Sequence, residues 1–444
     1  YDFVQGKTSI SGPITDTLAI RLSTSATTRH GTIYDVASNT DLHRQRNIGF
    51  RGQVLYKPTD TLSLTLAGDL NVQNPLCCAQ YYARVGTTQR AANRQYPALA
   101  AAFGYAPPST NPFDRVTDLD AKINSRQEVG GASLVTNWDL GPATLTSVSA
   151  WRYWDWKPAN DRDFIGLPIT TVSQNPSQQE QESQEIRLAS NGTNKLDYTV
   201  GAFLFDQTIN TQGSQVQGSA ASRFLLNPGN VPVGSRGCAS PTANACNPAV
   251  LNGLTSTNTI NFKNTSFAVF GKLNWEAFNH FHVQPGIRVN YDKKSGSYVS
   301  VVTTGSGSTT LNADQSATLA PQSYAPRFSA WNVSGDVTLS YDFSADVHGY
   351  ATYAKSFKSG GINLSGLPLN AAGTAVDLTT QTVKPEKVDA FELGLKTQFL
   401  DRSVTLNVAG FWTEIGDYQA TVNNGQLTVI RGYLANAGKV RSRG

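Results

Sequence analysis

From Trp331 to Tyr341 apolar and polar side chains alternate. Trp331, Val333, Val337, Leu339 and Tyr341 fall on one face, and Asn332, Ser334, Asp336, Thr338 and Ser340 on the other. A period of two belongs to a β-strand with one apolar side. A short turn at Ser344-Ala345-Asp346 leads into a second strand through Tyr350 and Tyr353. That strand leaves through Ser359-Gly360-Gly361-Ile362-Asn363 into a long loop. A chain built from this unit must find a setting for the apolar face and another for the polar one.

The unit recurs throughout. A first hairpin runs through Val4, Thr8 and Ile10, turns over residues 11–16, and returns through Leu18, Ile20 and Leu22. Ile48, Phe50, Val54 and Tyr56 precede a turn over residues 57–60, and Leu62, Leu64, Leu66, Leu70 and Val72 follow it. Further strands are expected at residues 127–139, 144–156, 184–188, 196–205, 267–275, 281–291, 391–399 and 404–412. The total is about fourteen, each near the roughly 9–11 residues with which a tilted strand crosses a bilayer. Short turns alternate with long loops. The loop over residues 74–125 is too long for an ordinary connection and is expected to be functional or mobile.

The polar faces carry Arg21, Arg51, Arg187, Lys272, Glu276, His282, Arg288, Asp292, Asp336, Glu392 and Lys396. In a packed soluble core so many charges would each cost several kcal/mol unless paired, on the order of the desolvation penalty. They suit a wet or plug-filled lumen, with the apolar faces turned to lipid. The expected fold is therefore all-β, a transmembrane antiparallel β-barrel occupying residues 1–444 as one domain. No run approaches the ~18 consecutive apolar residues of a membrane helix. A net charge of +4 without a Lys/Arg cluster gives no reason to expect nucleic acid. The chain starts in mid-strand at Tyr1 and has no Met, so it reads as an internal segment, and its lack of a leader says nothing about secretion.

The four cysteines lie outside the alternating runs. Cys238 and Cys246 flank a Pro/Asn-containing stretch that suits a disulfide-closed loop in an oxidising compartment. Metal ligation is the rival, but the spacing is not CxxC and no His is near. For Cys77-Cys78 a vicinal bridge and pairing elsewhere both stay open.

At this point several segments carry a resemblance. Tyr350-Ala351-Thr352-Tyr353, with Phe357-Lys358-Ser359-Gly360-Gly361-Ile362-Asn363, resembles a hairpin of TonB-dependent outer-membrane receptors. Residues 383–396, VKPEKVDAFELGLK, resemble that family's PE…ELG.K strand, and residues 406–413, 436–444 and 11–16 are similar to further segments in family order. The resemblance implies a 22-stranded barrel, of which about 14–15 strands are present here, filled by an N-terminal plug that this chain does not include. It also implies a multi-pass protein of the outer membrane of a Gram-negative cell, in contact with its lipid and lipopolysaccharide. Transport would be driven by TonB through a box on the plug, so no residue here is assigned to TonB coupling. The cargo would be a scarce extracellular ligand, a ferric siderophore being the commonest, with plant-derived aromatics or oligosaccharides as the alternative.

No catalytic set stands out, and no cofactor is expected. The five histidines are scattered without metal spacing. Asp161 and Asp163 around Arg162 have the look of a carboxylate pair for glycoside chemistry, but a local salt-bridged turn is the simpler reading. Among Trp151, Tyr153, Trp154 and Trp156, one alternate set belongs to an interfacial aromatic belt and the other to the lumen, where Tyr153 or Trp154 is a candidate ligand contact. Tyr81, Tyr82 and Arg84, with Arg90, Arg94 and Arg115 in the same loop, are candidates for an anionic ligand, as are Arg162, Lys355 and Lys358 near loop ends. Two other classes fit the alternation: a passive structural barrel or adhesin, and a secreted β-sandwich acting on carbohydrate.

Overall fold

The computed structural model describes residues 1–192, 194–227, 243–370, 375–423 and 432–444. Fifteen principal strands follow one another in antiparallel pairs. They are β1 (Val4–Thr15), β2 (Leu18–Arg29), β3 (Gln45–Thr59), β4 (Leu62–Gln73), β5 (Asn124–Asp139), β6 (Ala143–Ala159), β7 (Ser177–Ser190) and β8 (Leu196–Gln217). Then come β9 (Thr255–Phe278), β10 (Phe281–Thr303), β11 (Arg327–Ser344), β12 (Val347–Lys358), β13 (Glu386–Phe399), β14 (Val404–Gly416) and β15 (Val440–Arg443). Each pairs with its neighbour in sequence, the up-and-down order of a barrel wall. Among the described residues β1 pairs with β2 alone and β15 with β14 alone.

Register fixes the two faces. Ile20 pairs with Val54, Val54 with Leu66, Leu66 with Leu134, Leu134 with Ser149, Ser149 with Gln184 and Gln184 with Leu204. From Leu204 the same row continues to Phe267, Tyr291 and Trp331. Directly paired residues point the same way, so this row is one outward, mostly apolar face. Leu66, Leu204 and Trp331 expose 53%, 52% and 65% of their surface. An apolar band of this extent is stable against lipid and not against water. The opposite face carries charge, the expected Arg51, Lys272 and Asp336 among it: Asp69 takes Arg152 at 2.6 Å and Arg51 at 3.4 Å, and Lys272 meets Asp336 at 3.3 Å. Among the described residues no helix is long and apolar enough to cross a membrane, which says nothing of a barrel.

Three features differ from the sequence reading. The first two turns are tighter: β1 runs through Ser11 to Thr15, and β3 through Lys57 to Thr59. Pro13 and Pro58 lie where the register slips, a place where a strand tolerates a residue without an N–H. Second, β8, β9 and β10 hold 22, 24 and 23 residues, about twice what a bilayer requires, so they stand well clear of it. Third, the long connections are folded. Buried apolar clusters form in them: Ile33, Leu42, Ala79, Leu119 and Ile123 make one, and Leu226, Leu251, Leu254 and Leu319 belong to another, which also takes Val302 from the outer end of β10.

Candidate functional site

The folded loops form a cap at the end of the wall opposite the short turns. A small sheet joins Ile33–Asp35 to Thr40–Leu42 antiparallel and to Val116–Thr117 in parallel, tying the β2–β3 connection to the far end of the 74–123 loop. Asp35 is buried, and its carboxylate accepts the N–H of Ser38 at 3.2 Å and of Leu119 at 3.0 Å. The His43 ring accepts the Ala79 N–H at 2.8 Å. Beside it Cys77 and Cys78 are joined in a vicinal disulfide. These ties present the following residues to a cavity of about 380 Å³, whose lining includes Tyr81, Tyr82, Arg84, Tyr96, Tyr105 and Asp118.

One wall of this cavity comes from the loop after β6. Asp161 is fully buried, with its carboxylate spent on four backbone donors. The N–H groups of Phe164 and Asp163 donate to one oxygen at 2.6 and 3.1 Å, and those of Asp120 and Ala121 to the other at 3.1 and 3.3 Å. It therefore clamps two loops together. The salt-bridged turn expected at this point is not what forms, because Arg162 points away and donates to Gln215 at 3.1 Å. With Asp161 fully engaged, a glycosidase-type carboxylate pair has no support here either.

Asp120 and Asp163 crowd against that clamp, and one oxygen of each of the three carboxylates lies within 4.8 Å of the others. Both Asp120 oxygens, and Oδ1 of Asp163, are buried without a hydrogen-bond partner. Burial, then the Asp163 and Asp161 carboxylates, push Asp120 up to about 8. Burial, then Asp161, push Asp163 up to about 7. Among the described residues this is where three acidic side chains come near enough to hold a hard cation. Tyr105, whose hydroxyl donates to Asp118 at 3.0 Å, is raised by burial and then by that carboxylate.

Of the residues singled out from the sequence, the fold brings Tyr81, Tyr82 and Arg84 together. The aromatic cluster of β6 divides by alternation. Trp151 and Tyr153 share the outward face, where the Tyr153 hydroxyl donates to Glu128 at 2.8 Å. Trp154 and Trp156 turn inward and stack with centroids 5.3 Å apart. Lys355 follows Tyr353 on the outward face, whereas Lys358 lies on the inner one and meets Glu386 at 3.5 Å. Cys246 is not free, and its expected partner Cys238 lies outside the described residues. The sequence reading missed Asp120 and Asp118: Asp120 meets Asp161 from 41 positions away, and Asp118 meets Tyr105 from 13, with no regular period between them.

No curated protein matches the chain. Among solved structures it is similar to the ferric yersiniabactin uptake receptor FyuA from Yersinia pestis, with a TM-score of 0.67 at 17% identity, over 99% of this chain and 55% of that one. It is also similar to the siderophore receptor PiuA from Acinetobacter baumannii, with a TM-score of 0.63 at 13% identity, over 99% and 58%. A third likeness is to the copper transporter OprC, with a TM-score of 0.58 at 12% identity, over 99% and 56%. The chain thus spans just over half the length of these structures, whose shared feature with it is the barrel fold. The family model described as TonB dependent receptor-like, beta-barrel matches residues 79–444, and the chain belongs to that family.

Proposed function

We propose that the whole protein is an outer-membrane receptor of a Gram-negative cell that captures a scarce extracellular ligand and imports it by TonB-driven movement of a plug. A ferric siderophore is the favoured cargo. The observation that carries this reading is the folded cap, which joins Tyr81, Tyr82 and Arg84 in one cavity above a wall lined with charge. Aromatic faces and a guanidinium suit a bulky, anionic, ring-bearing chelate. That one similar structure is a ferric yersiniabactin uptake receptor and another a siderophore receptor points the same way. Binding would fall to the cap and the plug, and no chemistry on the ligand is required of these residues.

A second cargo reading has its own support. The stacked pair Trp154 and Trp156 on the inner face is the kind of platform on which a flat aromatic or a sugar ring lies, which favours plant-derived aromatics or oligosaccharides. The copper transporter among the similar structures also belongs to a different cargo class.

The deciding experiment compares expression and uptake under iron starvation with growth on candidate carbon sources. Induction by low iron, with accumulation of ferric chelates that stops when TonB is deleted, is the expected result. Expression indifferent to iron but induced by a carbon source would overturn the siderophore reading. Accumulation that persists without TonB would overturn energised transport and leave a passive barrel.

A further inference from the structure

Arg223 sits in the short helix Ala221–Leu225 of the β8–β9 loop and exposes only 6% of its surface. Its Nη2 donates to the Asn93 carbonyl at 3.3 Å, while Nε and Nη1 are buried and reach no acceptor. Arg90 and Arg94 come to the same place from the 74–123 loop, donating to the carbonyls of Phe224 at 3.4 Å and Leu225 at 3.5 Å. The three cations feel one another: burial, then Arg90 and Arg223, lower the proton affinity of Arg94. A cavity of about 230 Å³ opens beside Arg223, which lines it with Phe103, Ser219 and Ser222 among others.

No acidic residue of the stretches that carry these arginines compensates the charge. The sequence holds no Asp or Glu from residue 70 to 113, and none from 207 to 275. Asp314, which reaches this region from the β10–β11 loop, takes the Asn244 side-chain amide. A guanidinium removed from water and left with neutral carbonyl partners is strongly destabilising, and a fold keeps such a group where something else supplies the negative charge.

We infer that Arg223, with Arg94 and Arg90, forms a binding site for an oxyanion, a carboxylate or phosphate group carried by a small extracellular ligand. Nε and Nη1 of Arg223 leave a donor unmet on each side of the guanidinium, and the oxygens of such a group are the acceptors that a cation takes most strongly. The cavity holds an anionic head rather than a whole chelate, so the rest of the ligand projects from it. This deepens the receptor reading and rests on it only for the source of the anion.

The test uses the full-length receptor purified in detergent, titrated calorimetrically with citrate and with inorganic phosphate at fixed ionic strength. Wild type should bind at least one probe saturably, and Arg223→Gln and Arg94→Gln should weaken that binding at least about tenfold. Arg402→Gln, which pairs with Asp346 between two short turns at the other end of the wall, should leave it unchanged. Absence of saturable binding by both probes, or binding equal in wild type and Arg94→Gln, overturns the site. If Arg223→Gln does not fold, Arg94→Gln, whose side chain is less deeply buried, decides alone. Because equilibrium binding needs no TonB, loss of TonB-dependent uptake with binding intact would strike the receptor reading and spare the site.

Discussion

Lys272 and Asp336 meet at 3.3 Å across an intervening strand, because the residue between them in the pairing is Gly286. A Cβ at Gly286 would stand 2.8 Å from the Asp336 carboxylate, so glycine leaves the two side chains room to reach over the β10 backbone. Both remain partly exposed, at 56% and 34%, and water screens their attraction. A double-mutant cycle of Lys272→Met and Asp336→Asn, read by urea unfolding in vesicles, should give a coupling of only about 0.2–1 kcal/mol. It should shrink as salt rises. A coupling several-fold larger would mean that the inner face is dry.

The assignment of faces predicts opposite outcomes for adjacent residues. Leu134 lies in the outward row with Leu66, and Ser133 pairs with Ala67 and Ala150 on the inner side. Leu134→Arg should destabilise the folded protein in vesicles by about 2 kcal/mol or more. Ser133→Arg should fall well below that, since its charge enters a polar lumen. Equal losses would show that the two faces are not lipid and lumen.

Those faces were legible in the sequence wherever apolar residues marked every second position, as from Trp331 to Tyr341. They were illegible in the outer part of β9, where Thr255, Thr257 and Thr259 alternate with Ser256, Asn258 and Ile260, so both sides are largely polar and the period vanishes. Physically this marks the strand leaving the bilayer, where neither face needs to be apolar. The site was half legible. Tyr81, Tyr82 and Arg84 announced themselves as aromatic and cationic residues on one long loop. Arg94 and Arg223, or Asp120 and Asp161, belong to different loops that meet only in the folded cap, and no local pattern encodes such a meeting.

Asp161 should prove more important for the cap than any charged residue around it. Asp161→Ala would leave the N–H groups of Asp120, Ala121, Asp163 and Phe164 without their acceptor. Each buried donor left unmet costs roughly 1–3 kcal/mol, enough to release the two loops while the strands stay paired. Hydrogen exchange should accelerate over residues 118–123 and 160–166 and stay slow in β5 and β6. Unchanged exchange in the loops would show that Asp161 is not the clamp.

The same neighbourhood should loosen as pH rises. Asp120 and Asp163 are held near 8 and 7, well above the ~3.9 of a free aspartate, by burial first and then by neighbouring carboxylates, Asp163 and Asp161 acting on Asp120 and Asp161 on Asp163. Between those limits the folded cap binds more protons than the unfolded chain, so the stability they contribute is full below about pH 4 and falls as pH climbs through 7 and 8. Limited proteolysis within residues 115–125 and 160–170, in the presence of a chelator, should therefore be slower at pH 6 than at pH 8.5 after correction for the protease's own pH profile. Asp120→Asn removes the most strongly displaced proton and should flatten the dependence while keeping the side chain's shape. A profile as steep in Asp120→Asn as in wild type would place the titrating group elsewhere in the cap.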